Sequence, residues 1–529
     1  MNTTWHEGPR LEPARRAARG MVCTVDHLAS GAGVGVLADG GTAADAAVAS
    51  SAVLAVTTQH MCGMGGDLWA LVHAESGPPD TLNASGRAGS GSDSAALRSE
   101  GFEAMPFRGD LRSVPVPGCV DGWMALHERR GRLPLERILA PAIELAEQGF
   151  APTTLLEAAI DRVLDVEGAD DYRRYRSEGG LITRPGLGRS LRAIAAEGRE
   201  GWYGGEFGER LLAMGDGLYQ PADLRRPAAD WVEPVGVPVW DHTFWTVPAN
   251  SQGYLTALAA ALVAGLDDPP ASADDPAWAH ALIEASKQAA FDRASVLYEG
   301  ADLTPLFATE ALAERRRRID PDRASTVSPP VAGGGTIYLC VVDGDGMGVS
   351  LMQSNAAGFG AHIAVPEVGV FLHNRGIGFS LEPGHPAELA PGRRPPSTLC
   401  PALVTKSDDS LRMVLGTMGG DGQPQVVLQM LSRILQAGEA VDHALSAPRF
   451  TLTVPDALGF DTWAKAAEIT VAVERGNPWE HGLAARGHAV SPRPWGQGLF
   501  GHAHLIDVDG PRLLGVAEPR ALASAAVGR

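Results

Sequence analysis

Residues 319–335 read IDPDRASTVSPPVAGGG, and Thr336 follows directly with the run TIYLCVVD. Proline, serine and glycine dominate the first piece and no periodicity survives in it, so it reads as a linker or exposed loop. The second piece is apolar and β-branched and reads as a core strand. A cut at Gly335–Thr336 would leave a threonine hydroxyl a few ångströms from its own α-amine. Such an amine serves as a general base for the hydroxyl, which is one way a weak nucleophile is activated. Taken alone, the same residues describe an ordinary strand start better than a nucleophile.

Other chemistries find less support. No GxxxxGK[ST] phosphate loop, HExxH pair or GxSxG elbow occurs. The fifteen histidines form no trusted ligand spacing, so no metal is expected, and no cofactor either. The stretch Gly31-Ala32-Gly33-Val34-Gly35-Val36 only mimics a dinucleotide fingerprint, lacking the final glycine spacing and a preceding strand.

The elements that would carry Thr336 come next. Asp345-Gly346 makes a turn and Gly348 to Ser354 returns as a second strand, which predicts a hairpin. Gly40 to Thr57 reads as a buried helix, followed by the glycine cluster 63–66 and an LWALV strand. Leu135 to Phe150 has helical spacing, with Pro141 expected to kink or split it and Gly149 to stop it. Trp278 to Leu297 reads as an amphipathic helix with Glu284, Lys287, Asp292 and Arg293 at polar positions. LRMVLGTMGG reads as a strand ending in paired glycines, and VVLQMLSRIL as a helix. The tail alternates strand-like pieces with one long helical stretch. Mixed elements of this kind fit α/β or α+β.

The 529 residues, 45% hydrophobic and 20% charged, can bury a sizeable core. A net charge of -19 opposes a nucleic-acid partner, and the basic run Arg315–Arg318 reads as a solvated helix end. Cys23, Cys62, Cys119, Cys340 and Cys400 are widely spaced, which predicts free thiols and suits the cytoplasm. The N-terminus lacks an apolar signal core, and Tyr254 to Leu266 is too short to span a membrane, so a soluble protein without membrane partners is expected.

Ordered blocks along almost the whole chain resemble the γ-glutamyltranspeptidase family of N-terminal-nucleophile hydrolases. They are GTAADAAVASSAVLAVTTQHMCGMGGDLWALV, VPVPGCVDGWMALHERRG, EASKQAAFDR, TIYLCVVDGDGMGVSLMQSNAAGFGA and GTMGGDGQPQVVLQMLSRILQAGEAVDHALSAPRF. The resemblance implies an α+β fold, a four-layer αββα sandwich. It implies self-cleavage between Gly335 and Thr336 into a large piece, 1–335, and a small catalytic piece, 336–529, held together as one domain. Strained angles at Gly334 and Gly335 would help that step. The mature Thr336 then attacks a substrate amide.

By the same resemblance, Gly419 and Gly420 supply oxyanion N–H groups, and Ser354 supports the nucleophile. Losing one oxyanion donor costs about 3 kcal/mol in the barrier. Arg87 matches the clamp on the substrate α-carboxylate, and Ser397 and Thr398 the hydroxyl pair on that carboxylate. Asn355 lies next to where the family keeps a substrate-binding asparagine.

The sequence also departs from the glutathione-cleaving pattern. Arg375 stands at the glutamine position, and Gly378 at the acidic position, that hold a γ-glutamyl ammonium. An arginine about 4 Å from an ammonium would cost roughly 4 kcal/mol at an effective dielectric near 20. Two orientations follow: Arg375 inward, disfavouring a γ-glutamyl group, or outward and paired with an acid. With the short 380–396 loop and Ile337 after the nucleophile, these features resemble the cytoplasmic branch, which includes glutathione-hydrolase-like proteins and an oxamate amidohydrolase. The expected activity is hydrolysis, with or without transpeptidation, of a γ-glutamyl or similar carboxylate-bearing small-molecule amide. The alternatives are an amine-lacking acyl amide of oxamate, glutaryl or cephalosporin type, and an inactive binding protein.

Overall fold

The computed structural model describes residues 10–325, 335–453 and 469–529. Two seven-stranded sheets face one another between two layers of helices. One sheet centres on the hairpin Gly335–Asp343 and Gly348–Ala356, flanked by Gly20–Thr24 and Asp67–His73. The other centres on Leu411–Met418, between Ala402–Thr405 and His502–Asp509. This is the αββα arrangement of the expected α+β class.

Strand alternation builds the layers. In Gly335–Asp343, Ile337, Leu339 and Val341 join the helix-side core. Their neighbours Tyr338, Cys340 and Val342 join the core between the sheets. Both faces are therefore buried, which is why the strand reads as a continuous apolar run. From the facing sheet, Leu403, Val414 and Ile506 complete the middle core. Gly416 is needed here: a Cβ would lie 2.5 Å from the Tyr338 ring. The sheets therefore touch two residues from Thr336 and three from Gly419.

The helix Ala43–Thr57 is buried over its whole length, as its composition implies, and Thr42 and Asp45 close a capping box at its start. Tyr254–Ala264, Pro276–Ala290 and Gln423–Leu431 cover the opposite face. Among the described residues, no helix is long and apolar enough to cross a membrane. All five cysteines are buried and free.

Several expectations are corrected. The helix Leu135–Gln148 runs on through Pro141 and ends at Gly149, whose φ is 94°. The glycine run 31–36 does follow a strand, Gly20–Thr24, yet it lies inside the helix His27–Ala38. Gly33 there lets the helix approach Ser50, where a Cβ would stand 2.4 Å from Oγ. The helix predicted to Leu297 stops at Ala290, and a four-residue turn Arg293–Val296 follows. Its polar positions Glu284, Lys287 and Arg293 are buried, each against a charged partner: Glu284 with Lys287, and Arg293 with Asp421. In the described tail the helices are short, Val441–Ser446 and Glu480–Ala485. The basic run does close a helix, Thr309–Arg317, where Arg315 pairs with Asp292 and Arg318 with Glu314.

Candidate active site

Thr336 is fully buried near the start of its strand, and its Oγ1 shares a 3.0 Å hydrogen bond with Ser354 Oγ. The hairpin register explains the contact. Gly335 pairs with Ala356 but Ile337 pairs with Gln353, so the ladder slips at Thr336. A bulge of this kind re-aims a side chain. Ser354 Oγ also accepts the Ala356 N–H at 2.8 Å, which fixes the hydroxyl. Gly335 lies in the strand, whereas Gly334 and the stretch 326–333 before it lie outside the described residues.

A chain of polar contacts leads outward from this pair. Asp67 is the cross-strand partner of Ser354. Its carboxylate receives Arg375 Nε at 2.7 Å, and both side chains are almost wholly buried. Arg375 Nη1 donates to Thr398 Oγ1 at 3.1 Å. Gln252 Nε2 donates to the carbonyls of Thr398, at 3.0 Å, and Gly420, at 2.9 Å. Gln252 Oε1 in turn accepts from Arg293, which also holds Asp421 at 2.5 Å. Thr336, Ser354, Arg375, Thr398 and Gly420 are thus joined in one connected frame.

Gly419 and Gly420 form the turn between the strand Leu411–Met418 and the helix Gln423–Leu431. Gly419 has φ 140° and ψ 22°, and Gly420 has φ 56°. Few side-chain-bearing residues adopt the first conformation. The wall beside the turn is held by buried charge. Arg449 donates to the Phe500 carbonyl and to Glu518, each at 2.9 Å, and Arg520 ties Glu518 to Glu474. Burial works to raise the Glu518 pKa, but the two guanidiniums overcome it and bring it down to about 2.

The orientation of Arg375 is now decided: it pairs with an acid, Asp67, while still touching Thr398. The other expected binding residues have these places. Ser397 donates its N–H to the Asn250 carbonyl at 2.7 Å, and its Oγ receives the Leu399 N–H at 3.3 Å. Asn355 Nδ2 is turned onto the Gln59 carbonyl at 3.0 Å, packing the turn that carries the 63–66 glycines. Arg87 is held between Glu299 and Asp230, both at 2.7 Å, so its fork is already occupied by protein carboxylates. Asn355 Oδ1 and Arg87 Nε, by contrast, are buried without a hydrogen-bond partner among the described residues.

Sequence reasoning missed Asp67, Gln252, Arg293 and Asp421. Asp67 followed the glycine cluster, a position that could have drawn notice, but its partner is 308 residues away. Also missed was His280–Glu284–His488, the group among the described residues with metal-ligand geometry. Glu284 there already binds Lys287 at 2.7 Å and the Ser325 N–H at 3.2 Å. His280 Nε2 meets the Asp320 carbonyl at 2.7 Å. The cluster therefore clamps residues 320–325.

A threonine hydroxyl hydrogen-bonded to a serine at a strand bulge sits on a chain whose residues 29–528 match the Gamma-glutamyltranspeptidase family. The chain belongs to that family. It is 32% identical to the glutathione hydrolase-like YwrD proenzyme of Bacillus subtilis, covering 94% of this chain and 97% of that one. It is 34% identical to the oxamate amidohydrolase proenzyme of Klebsiella pneumoniae, covering 82% and 85% respectively. The crystal structure of cephalosporin acylase from Bacillus halodurans superposes with a TM-score of 0.90 at 32% identity, over 100% and 99% of the two chains. The protein is accordingly an enzyme of the γ-glutamyltranspeptidase family with the N-terminal-nucleophile hydrolase fold.

Proposed function

We propose that the chain is a proenzyme that cuts itself between Gly335 and Thr336 and then uses Thr336 as the nucleophile of an amidohydrolase. The observation that carries this is the buried 3.0 Å contact between Thr336 Oγ1 and Ser354 Oγ at the strand bulge. The Thr336 hydroxyl attacks the Gly335 carbonyl and the chain passes through an ester. Water releases the ester, giving residues 1–335 and 336–529 with a free α-amine on Thr336. That amine takes the hydroxyl proton as Thr336 attacks the substrate amide. The Gly419 and Gly420 N–H groups steady the oxyanion, the amine product departs with the proton, and water or an amino acceptor resolves the acyl-enzyme.

The acyl group is a carboxylate-bearing one, γ-glutamyl or similar. The Asp67–Arg375 pair bears on this choice. A lone Arg375 would repel a substrate ammonium, but its charge is compensated within 2.7 Å by Asp67. A γ-glutamyl group is therefore not excluded on charge. The reading with an amine-lacking acyl group draws on one observation: Arg375 still presents Nη1 at the Thr398 hydroxyl, a donor edge suited to a carboxylate. The similarity to an oxamate amidohydrolase and a cephalosporin acylase accords with it. Five buried free thiols suit a reducing compartment, the cytoplasm.

A substrate panel tests the assignment on the purified, processed protein: glutathione, a γ-glutamyl anilide, glutaryl amides and oxamate. Turnover of at least one member, abolished in Thr336→Ala, is expected. An acceptor such as glycylglycine that raises the rate would add transpeptidation. If none is cleaved, or if Thr336→Ala cleaves as well as wild type, the proposal is wrong.

A further inference from the structure

Gln252 is fully buried where two segments of the site meet. Its backbone is tied to the first of them. The Ser397 carbonyl receives the Gln252 N–H at 3.0 Å, the Asn250 carbonyl receives the Ser397 N–H at 2.7 Å, and Ser251 and Ser397 form a parallel bridge. Its side chain reaches the second. Nε2 carries two hydrogens and gives one to the Thr398 carbonyl, at 3.0 Å, and one to the Gly420 carbonyl, at 2.9 Å. Oε1 accepts from Arg293 Nη2 at 2.9 Å, and the same Nη2 reaches Asp421 Oδ1 at 2.5 Å. A guanidinium only donates, so a flipped amide would set N–H groups against Arg293 and leave both carbonyls without a donor. The amide also borders a small cavity lined by Leu255, Ala259, Arg293 and Pro424. Hydrogen bonds, more than close packing, therefore fix its orientation.

The glycine turn depends on holds of this kind. Gly419 and Gly420, at φ 140° and 56°, have no side chains to anchor them. Their peptide planes are oriented through their carbonyls. The Gly419 carbonyl receives the Gly422 N–H at 3.0 Å. The C=O and N–H of a trans peptide point in opposite directions, so this bond aims the Gly420 N–H away from Gly422. The Gly420 carbonyl receives the Gln423 N–H from its own helix and Gln252 Nε2 from outside it. Gln252 lies before Thr336 in the chain, and Thr398 and Gly420 lie after it. The joint therefore spans the two pieces that a cut at Gly335–Thr336 would leave.

We propose that Gln252 is a positioning residue for the reaction: its amide locks the glycine turn to the Ser397–Thr398 segment, so that the oxyanion N–H groups are already aimed before charge develops. Donors fixed in advance need no reorganisation as the oxyanion forms, which is what makes them effective. Arg293 acts one step further back, by holding the amide in the one orientation that serves both carbonyls. The catalytic part of this proposal rests on Thr336 being the nucleophile and on the oxyanion role of the glycine pair. The hold on the turn does not.

Two variants and two readouts test it. Gln252→Met keeps the bulk and removes the amide. Gln252→Glu keeps an acceptor for Arg293 but, as a carboxylate, has no N–H for the carbonyls. Hydrogen exchange read by mass spectrometry should show the amides of residues 419–422 exchanging at least tenfold faster in both variants, with the buried helix Ala43–Thr57 as protected as in wild type. On the best substrate of the panel, kcat per cut molecule should fall at least tenfold while KM stays within threefold. A variant that stays uncut while its turn exchanges faster has lost the same support at the first step, and counts as the expected result. Unchanged exchange at 419–422, wild-type kcat in either variant, or a loss confined to KM would each overturn the proposal. Loss in Gln252→Met with full activity in Gln252→Glu would also overturn it, since donation would then not matter. A wild type that cleaves no amide of the panel refutes the Thr336 reading, and the exchange rates still decide whether Gln252 holds the turn.

Discussion

Replacing Asp67 by asparagine removes one charge from a pair in which Asp67 is 0% and Arg375 1% exposed. The shape is kept, but the guanidinium stays buried without its counter-charge. With the charge centres about 4 Å apart and an effective dielectric near 20, the lost attraction is about 4 kcal/mol. Breaking a buried pair by removing one partner typically costs about 3–5 kcal/mol. The amide oxygen of the introduced asparagine still accepts one hydrogen bond, so the lower end, about 3 kcal/mol, is expected. Urea unfolding followed by the fluorescence of the eleven tryptophans reads this directly. The double variant Asp67→Asn/Arg375→Gln leaves no uncompensated charge and should recover more than half of the loss. If Asp67→Asn lies within about 1 kcal/mol of wild type, or the double variant falls further than the single one, the pair is not the strut described here.

Other perturbations probe the site from different sides. Ser354→Ala removes both the Thr336 contact and the cap on the Ala356 N–H, and should slow acyl transfer about tenfold, roughly one lost hydrogen bond; an unchanged kcat would detach Ser354 from the chemistry. Gly419→Ala meets nothing closer than 3.4 Å, so any loss comes from the backbone at φ 140°. It should cost about 3 kcal/mol in the barrier, roughly a hundredfold in kcat; a small KM effect alone would argue against an oxyanion donor there. Acid should destabilise the fold by two routes. Glu518 sits at about 2, below the usual value of about 4.3, so its contribution is present above that value and fades as pH falls toward 2. His60 and His502 sit at about 3 and 4, so below about 6.5 the unfolded chain binds more protons and stability declines toward pH 4. Urea midpoints that rise as pH is lowered from about 6.5 to about 4.5 would contradict the burial of these rings.

Much of this architecture was legible because it is local. The run after Thr336 is apolar on both faces, and its hairpin turn is written in Asp345-Gly346. The helix Ala43–Thr57 followed from small apolar residues around its whole circumference. What escaped was set by distant partners. Glu284, Lys287 and Arg293 occupy the polar positions of a helical pattern, and nothing local reveals that each meets a charge that lets it be buried. Arg375 left two orientations open because Asp67 lies 308 residues away in the chain. Pro141 drew too strong a rule, since its helix continues through it. The linker-to-strand junction pointed to Thr336, but the roles of Thr336, Ser354 and the glycine pair came from family-like blocks. The fold then placed the first two 3.0 Å apart.

Self-cleavage before Thr336 is the central claim, and intact-mass spectrometry of the purified protein tests it most directly. Two fragments are predicted from the 55.3 kDa precursor, the smaller one beginning at Thr336, and one uncut chain in Thr336→Ala. A wild-type protein that stays whole, or a Thr336→Ala protein that splits at the same bond, would contradict it.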